Sequence, residues 1–156
     1  MEESIKRKED IQSEMKECHL IQYINQEFEL ERIDLKSYSP LTLAFIGDGI
    51  YDLVIRTIIV ERGNAPVNKL HKKVSGFVKA SAQMELFHRI EADLTEEELA
   101  VYKRGRNAKS FTSAKNASIT DYRIATGLEA LFGYLYLEDR FPRLIELTKK
   151  GLEDMI

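Results

Sequence analysis

Cysteine is nearly missing from this 156-residue chain. Cys18 stands alone, so no intrachain disulfide can close and no cysteine-built zinc cage can form. Proline occurs three times and glycine eight times, and no segment alternates apolar and polar residues with the period of a half-buried strand. A sheet protein is thereby disfavoured. The N-terminus is charged from the start (Glu2, Glu3, Lys6, Arg7, Lys8) and lacks the apolar core of a secretory signal, so a cytoplasmic protein is expected. One long apolar run exists, Leu41 to Val60. It carries Asp48, Asp52 and Arg56, each costing a few kcal/mol at mid-bilayer, so a buried core helix is expected there and no membrane partner.

What remains is ordinary globular material. Apolar residues make up 44% and charged residues 31%, enough for one domain with a proper core. The net charge of -3 does not suggest nucleic acid, but its distribution does. Val101 to Arg123 holds Lys103, Arg104, Arg106, Lys109, Lys115 and Arg123 against Asp121 alone, and Arg62 to Lys79 is basic without an acid. An acidic protein with two basic islands can present one anion-binding face.

Nearly every segment reads with helical spacing, giving an all-α fold. Residues 1–24 read as a charged N-terminal helical extension and 25–156 as the main domain. Ser39-Pro40 opens a helix reaching about Arg62, with Gly63 as its stop. A second helix covers 66–79, and Ser81 is expected to cap a third over 82–91. Thr95-Glu-Glu-Glu98 is a capping box, flanked by Leu94 and Leu99 as a hydrophobic staple; its helix is expected to end at Lys103-Arg104-Gly105. Residues 105–119 read as a long polar loop. Thr120 is expected to cap a helix to about Leu137, and Pro142 to open the last one.

Two carboxylates stand where apolar residues dominate. Asp48 lies in Leu43-Ala-Phe-Ile-Gly-Asp-Gly-Ile-Tyr-Asp52, and Glu129 in Ala125-Thr-Gly-Leu-Glu-Ala-Leu-Phe-Gly133. An ionised carboxylate in a core is costly unless paired, hydrogen-bonded or bound to a cation. If the two meet, their repulsion demands a shared proton or a metal ion, and oxygen-only ligands favour magnesium or manganese over zinc. Asp52, one turn after Asp48, shares its face. Gly47 and Gly49 suggest close approach of another backbone or a ligand. A purely structural reading stays open, with Asp48 paired to Arg56 and Glu129 to Arg123.

Several motifs resemble a known family. Phe45-Ile-Gly-Asp-Gly-Ile-Tyr-Asp52 is similar to the signature helix of ribonuclease III, and Leu128-Glu-Ala-Leu-Phe-Gly-Tyr-Leu-Tyr-Leu137 to its second catalytic helix. Asn68 to Ser75, Leu99 to Ser110 and Thr120 to Thr126 resemble the Mini-III branch, whose members lack the separate double-stranded-RNA-binding domain. The resemblance spans about 36–147. It implies a ribonuclease III-type endonuclease domain forming a homodimeric helical bundle. The implied reaction is magnesium-dependent hydrolysis of double-stranded RNA, with Mn2+ as a possible substitute and 5′-phosphate products. The implied substrate is the 23S ribosomal RNA precursor. Asp48 and Glu129 match the two metal-binding catalytic carboxylates. Ala44 and Thr126 stand where the general pattern has glutamate and aspartate, as in Mini-III sequences, and Asp52 and Thr126 are given supporting roles. RNA is expected along Lys103, Arg104, Arg106, Asn107, Lys109, Ser110, Lys115 and Asn116, and along His71, Lys72 and Lys73. The alternative is a catalytically inactive ribonuclease III-like module that binds RNA or associates with the ribosome.

Overall fold

The computed structural model describes residues 2, 5, 19–109 and 118–156, and among them there is no strand. The chain divides into two units, Met1–Asp34 and Leu35–Ile156. The first contains helix α1, Leu20–Glu27, which has no buried residue and runs across the boundary expected at residue 24. Among its described residues the second holds six α-helices: α2 Pro40–Glu61, α3 Val67–Val78, α4 Ala80–Ile90, α5 Glu96–Asn107, α6 Ile119–Leu137 and α7 Phe141–Gly151. Among the described residues, no helix is long and apolar enough to cross a membrane.

The centre of the second unit is α6. It packs against α2, α4, α5 and α7, and Ile124 to Leu128, Ala130 to Gly133 and Leu135 are all buried along it. A helix apolar on all sides can only be stable when enclosed in this way. Around it, Tyr51 and Phe132 lie 5.6 Å apart by ring centroid, and Phe87 stacks on Tyr102 at 3.8 Å. The Tyr51 hydroxyl donates to the Phe77 carbonyl at 2.7 Å, fastening α3 to α2.

Glycines let the helices meet at backbone distance. A Cβ built on Gly47 of α2 would lie 1.7 Å from the Glu129 carbonyl oxygen, and one on Gly133 of α6 would lie 1.9 Å from the Leu43 carbonyl oxygen. Only hydrogen fits at either place, and the contact is reciprocal: each helix presses a glycine against the other's backbone. Gly49 differs from Gly47. A Cβ there would meet nothing within 4 Å, so it marks no close packing.

The caps show which boundaries the local chemistry controls. Ser39 accepts from the Thr42 N–H, with Pro40 opening α2, and Thr95 with Glu98 forms the expected box at the start of α5. Glu98 is also fully buried and takes two hydrogen bonds from the Arg143 guanidinium, at 2.8 and 2.9 Å. These donors hold its carboxyl below the usual range. One residue therefore caps α5 and ties it to α7. Three boundaries differ from the sequence reading. Helix α4 starts at Ala80, after Lys79, which makes no side-chain cap bond. Helix α5 runs on to Asn107, past the glycine at 105. Helix α6 is capped by Ser118, which accepts from the Asp121 N–H, two residues before the expected Thr120.

The glycine contact gives a paired stability prediction. Gly133→Ala forces two backbones apart and should lower unfolding free energy by about 1–3 kcal/mol. Gly49→Ala, in open space on a helix, should raise it by up to about 1 kcal/mol. Urea denaturation of both variants checks the contrast, and equal effects would refute it.

Candidate active site

The Gly47–Glu129 contact carries the chemistry with it. Asp48 follows the glycine that touches the Glu129 backbone, so the two carboxylates are delivered to one place by main-chain packing. Their charges act on one another. Glu129 is pushed up to about 7, first by burial and then by the Asp48 charge. Asp48 is raised as well, by desolvation and by Asp52.

Among the described residues no cation pairs with Asp48 or Glu129. Arg56, the structural alternative for Asp48, instead binds Asp52, with Nε 2.6 Å from Oδ2. Arg123 is exposed and makes no ion pair with Glu129. Asp48 differs from expectation in one respect: it lies on an exposed stretch of α2, whereas Glu129 is half-buried. The pair thus faces outward, open to a large ligand.

The supporting residues take different places. Asp52 is occupied by Arg56 and reaches the site only through its charge. Thr126 is buried, and its hydroxyl donates to the Tyr122 carbonyl at 2.9 Å, so its polar group is spent on its own helix. One neighbour was missed by sequence reasoning. Gln83 of α4 is 2% exposed, and its amide faces the Glu129 carboxylate as a hydrogen-bond donor. A signal for it existed. Gln83, Leu86, Phe87 and Ile90 form one helical stripe, and all four are buried, so the amide stood out as a polar residue on a core face.

As a ligand set the site is sparse. No cluster of three or more His, Cys, Asp or Glu side chains that would enclose a metal is found among the described residues. Two carboxylates without histidine or cysteine do fit Mg2+, which keeps most of its waters and takes only one or two protein carboxylates together with substrate phosphate.

The basic residues fall into two groups. His71, Lys72 and Lys73 are exposed on α3. Lys103, Arg104, Arg106 and Asn107 belong to the last turns of α5, the latter two where a loop is expected from sequence, and Lys109 follows just beyond the helix. Arg106 lies over the Tyr102 ring, 5.7 Å from its centroid, and its Nε donates to Asn107 Oδ1 at 3.2 Å. Ser110, Lys115 and Asn116 lie outside the described residues. The basic end of α5 is packed close to the site. A Cβ on Gly105 would lie 2.6 Å from Ala130 Cβ and 3.0 Å from Gly127 Cα, in the turns of α6 on either side of Glu129.

Comparison with known proteins bears on this arrangement. Residues 41–140 match the model of the ribonuclease III domain, a span that includes both carboxylates and the basic end of α5. The chain is 52% identical over 128 residues to a Mini-ribonuclease 3 of Clostridium tetani (strain Massachusetts / E88), covering 81% of this chain and 83% of that protein. It is 52% identical over 121 residues to a Mini-ribonuclease 3 of Thermoanaerobacter sp. (strain X514), covering 76% and 85%. The fold is similar to the crystal structure of a Fusobacterium nucleatum protein with a TM-score of 0.71 at 32% identity, covering 79% of this chain and 98% of that one. The chain belongs to the ribonuclease III family, in its Mini-ribonuclease 3 branch, and is an all-α endoribonuclease of that type.

Proposed function

We propose that this endoribonuclease cuts double-stranded RNA at the Asp48–Glu129 pair with Mg2+, that Mn2+ can substitute, and that it works as a cytoplasmic homodimer on the 23S ribosomal RNA precursor. The carrying observation is the carboxylate pair itself. Two acids brought together by backbone packing, both raised in pKa and neither paired to a cation, are unfavourable for folding and favourable for holding a divalent ion.

The residues divide the work as follows. Asp48 and Glu129 would hold the ion, and Gly47 and Gly133 keep their helices at fixed separation. A divalent ion bound there supplies a water activated for attack on phosphorus and charge to stabilise the leaving oxygen. The basic end of α5 and the α3 group His71, Lys72 and Lys73 would bind phosphates on either strand. Duplex RNA is recognised through phosphates and 2′-hydroxyls more than through base edges, so lysine, arginine and asparagine suffice as contacts. Hydrolysis would leave a 5′-phosphate and a 3′-hydroxyl.

The homodimer reading rests on the outer stripe of α2. Leu41 and Phe45 lie one turn apart on it, and Phe45 is 82% exposed, three residues before Asp48. A second copy covering this stripe would bury the ring and bring two sites to one duplex, one for each strand.

The deciding experiment is cleavage of a long base-paired RNA with Mg2+ by the wild-type chain and by Asp48→Asn, with folding and molar mass read in parallel. Cutting by the wild type alone, with both proteins folded and at twice the chain mass, is the expected result. Duplex binding without cleavage by either would favour the inactive RNA-binding module. Neutralising Arg104, Arg106 and Lys109 together should weaken duplex binding at moderate salt and flatten the dependence of log affinity on log salt by about two to three counterions. An unchanged slope would refute the role given to α5.

Stability should report the pair as well. Glu129 holds its proton to about pH 7 when folded and to about 4.5 when unfolded. Its contribution to stability is therefore complete below 4.5 and is lost as pH rises through 7. With chelator present, the melting temperature should fall from pH 5 to pH 8. Mg2+ should restore it at pH 8, and Glu129→Gln should shrink the fall. A pH-independent melting curve in chelator would contradict this account.

A further inference from the structure

Gln83 is a buried polar group beside the site whose hydrogen-bonding capacity is only partly used by the protein. Its side chain is 2% exposed, on the buried face of α4, which packs against α6. The Nε2 group donates to the Val78 carbonyl at 2.9 Å. A carbonyl accepts only from the NH2 side of an amide, so this bond settles which end of the side chain carries nitrogen and which carries oxygen. The amide also faces the Glu129 carboxylate as a donor. Its oxygen is left over: Gln83 Oε1 is the buried side-chain polar atom without a hydrogen-bond partner among the described residues.

Folding alone does not explain this choice of residue. Val78 is the last residue of α3, and satisfying its carbonyl accounts for one N–H of the amide. The remaining N–H and the bare oxygen gain nothing from that cap. A buried acceptor without a donor costs free energy, and each such atom in a native protein calls for a reason why the residue stands there. The stripe on which Gln83 sits otherwise holds Leu86, Phe87 and Ile90, so an apolar side chain would pack there at lower cost. Position supplies the missing reason. The uncompensated oxygen belongs to an amide whose NH2 group faces Glu129 across the α4–α6 packing, the more buried of the two site acids.

We propose that Gln83 is a positioning residue of the catalytic site: anchored on the Val78 carbonyl, its amide NH2 group holds the Glu129 carboxylate in place beside Asp48. This rests on the reading of Asp48 and Glu129 as the metal-binding acids. The amide is suited to the task because it is neutral. A lysine or arginine in its place would neutralise Glu129 and compete with the ion, and a further carboxylate would add repulsion to a pair already raised by its own charges. Glutamine fixes direction without altering the charge of the site. Groups that orient metal-binding side chains in this way typically affect metal affinity or activity by about 10–100-fold.

The test uses Mn2+ alone, without RNA. Its affinity is measured by calorimetry or by electron paramagnetic resonance on the full chain, for wild type, Asp48→Asn, Gln83→Met and Gln83→Asn. Gln83→Met keeps the length and removes both polar atoms; Gln83→Asn keeps the amide and withdraws it by one methylene. Melting curves define a temperature at which each variant is fully folded, and if Gln83→Met is folded at none, Gln83→Asn decides. The expected result is Mn2+ affinity weakened about 10-fold or more in the Gln83 variants, with a matching fall in kcat on duplex RNA and an unchanged KM. A merely structural role, such as capping α3, would lower the melting temperature and leave affinity and kcat alone in the folded protein. Wild-type Mn2+ affinity and kcat in folded Gln83 variants, with Asp48→Asn defective, would overturn the proposal and leave the metal-site reading intact. Undiminished Mn2+ binding by Asp48→Asn would overturn the metal-site reading and this proposal together.

Discussion

The structure depends on the reciprocal glycine contact between α2 and α6. Backbone-to-backbone packing is stiffer than side-chain packing because no rotamer can adjust to absorb a displacement. With Gly47 against the Glu129 carbonyl and Gly133 against the Leu43 carbonyl, the two helices have a fixed separation and a fixed register. Asp48 and Glu129 inherit that register because they are neighbours of the touching groups in sequence or the same residue. Two carboxylates that repel one another can be held together only by a scaffold that does not yield, and the two glycines supply it at the point where the repulsion acts.

The rest of the core follows from enclosing α6. Once α2 lies against one side, the remaining buried faces of α6 need α4, α5 and α7. Helix α5 is held at both ends by different means. Its acidic start is drawn in through Glu98, buried beneath Arg143, while its C-terminal half is seated by Gly105 and Tyr102 against Gly127 and Ala130. Removing Arg143 alone would strand a buried carboxylate, the more costly way of breaking such a pair. The sequence order of charge along α5, acid first and base last, suits its dipole and sets its basic end beside the turns of α6 that flank Glu129.

Legibility in the sequence followed the physical range of each signal. Short-range chemistry was readable. Ser39-Pro40 and the Thr95–Glu98 box act within three residues, and both starts were located to the residue. Where the local signal is silent or misleading, the reading drifted. Lys79 makes no cap bond, so α4 begins earlier than Ser81 suggested. Gly105 looks like a stop and is instead a packing notch inside α5. Gly47 and Gly49 are indistinguishable in sequence, yet only one meets another backbone. Asp48 was read as buried from its apolar neighbours, but α2 leaves that stripe exposed. The pairing of Asp52 with Arg56, which removes the cation once considered for Asp48, depends on side-chain direction and not on composition.

Sparseness is itself consistent with the chemistry. Ala44 and Thr126 occupy positions where further acids would sit on the same two helix faces, and Ala44 is buried while the Thr126 hydroxyl turns back to Tyr122. Each added carboxylate would increase repulsion within a site whose Glu129 already holds its proton to about pH 7. With fewer acids, the ion-free protein carries a smaller penalty, and on the proposed metal-binding reading an ion would be held less tightly, leaving more of its coordination to water and phosphate. Binding then depends more on the substrate being present. That coupling has a physical consequence. The same phosphates that the basic end of α5 attracts would complete the coordination of the ion, so occupancy of the site and occupancy of the RNA face would rise together.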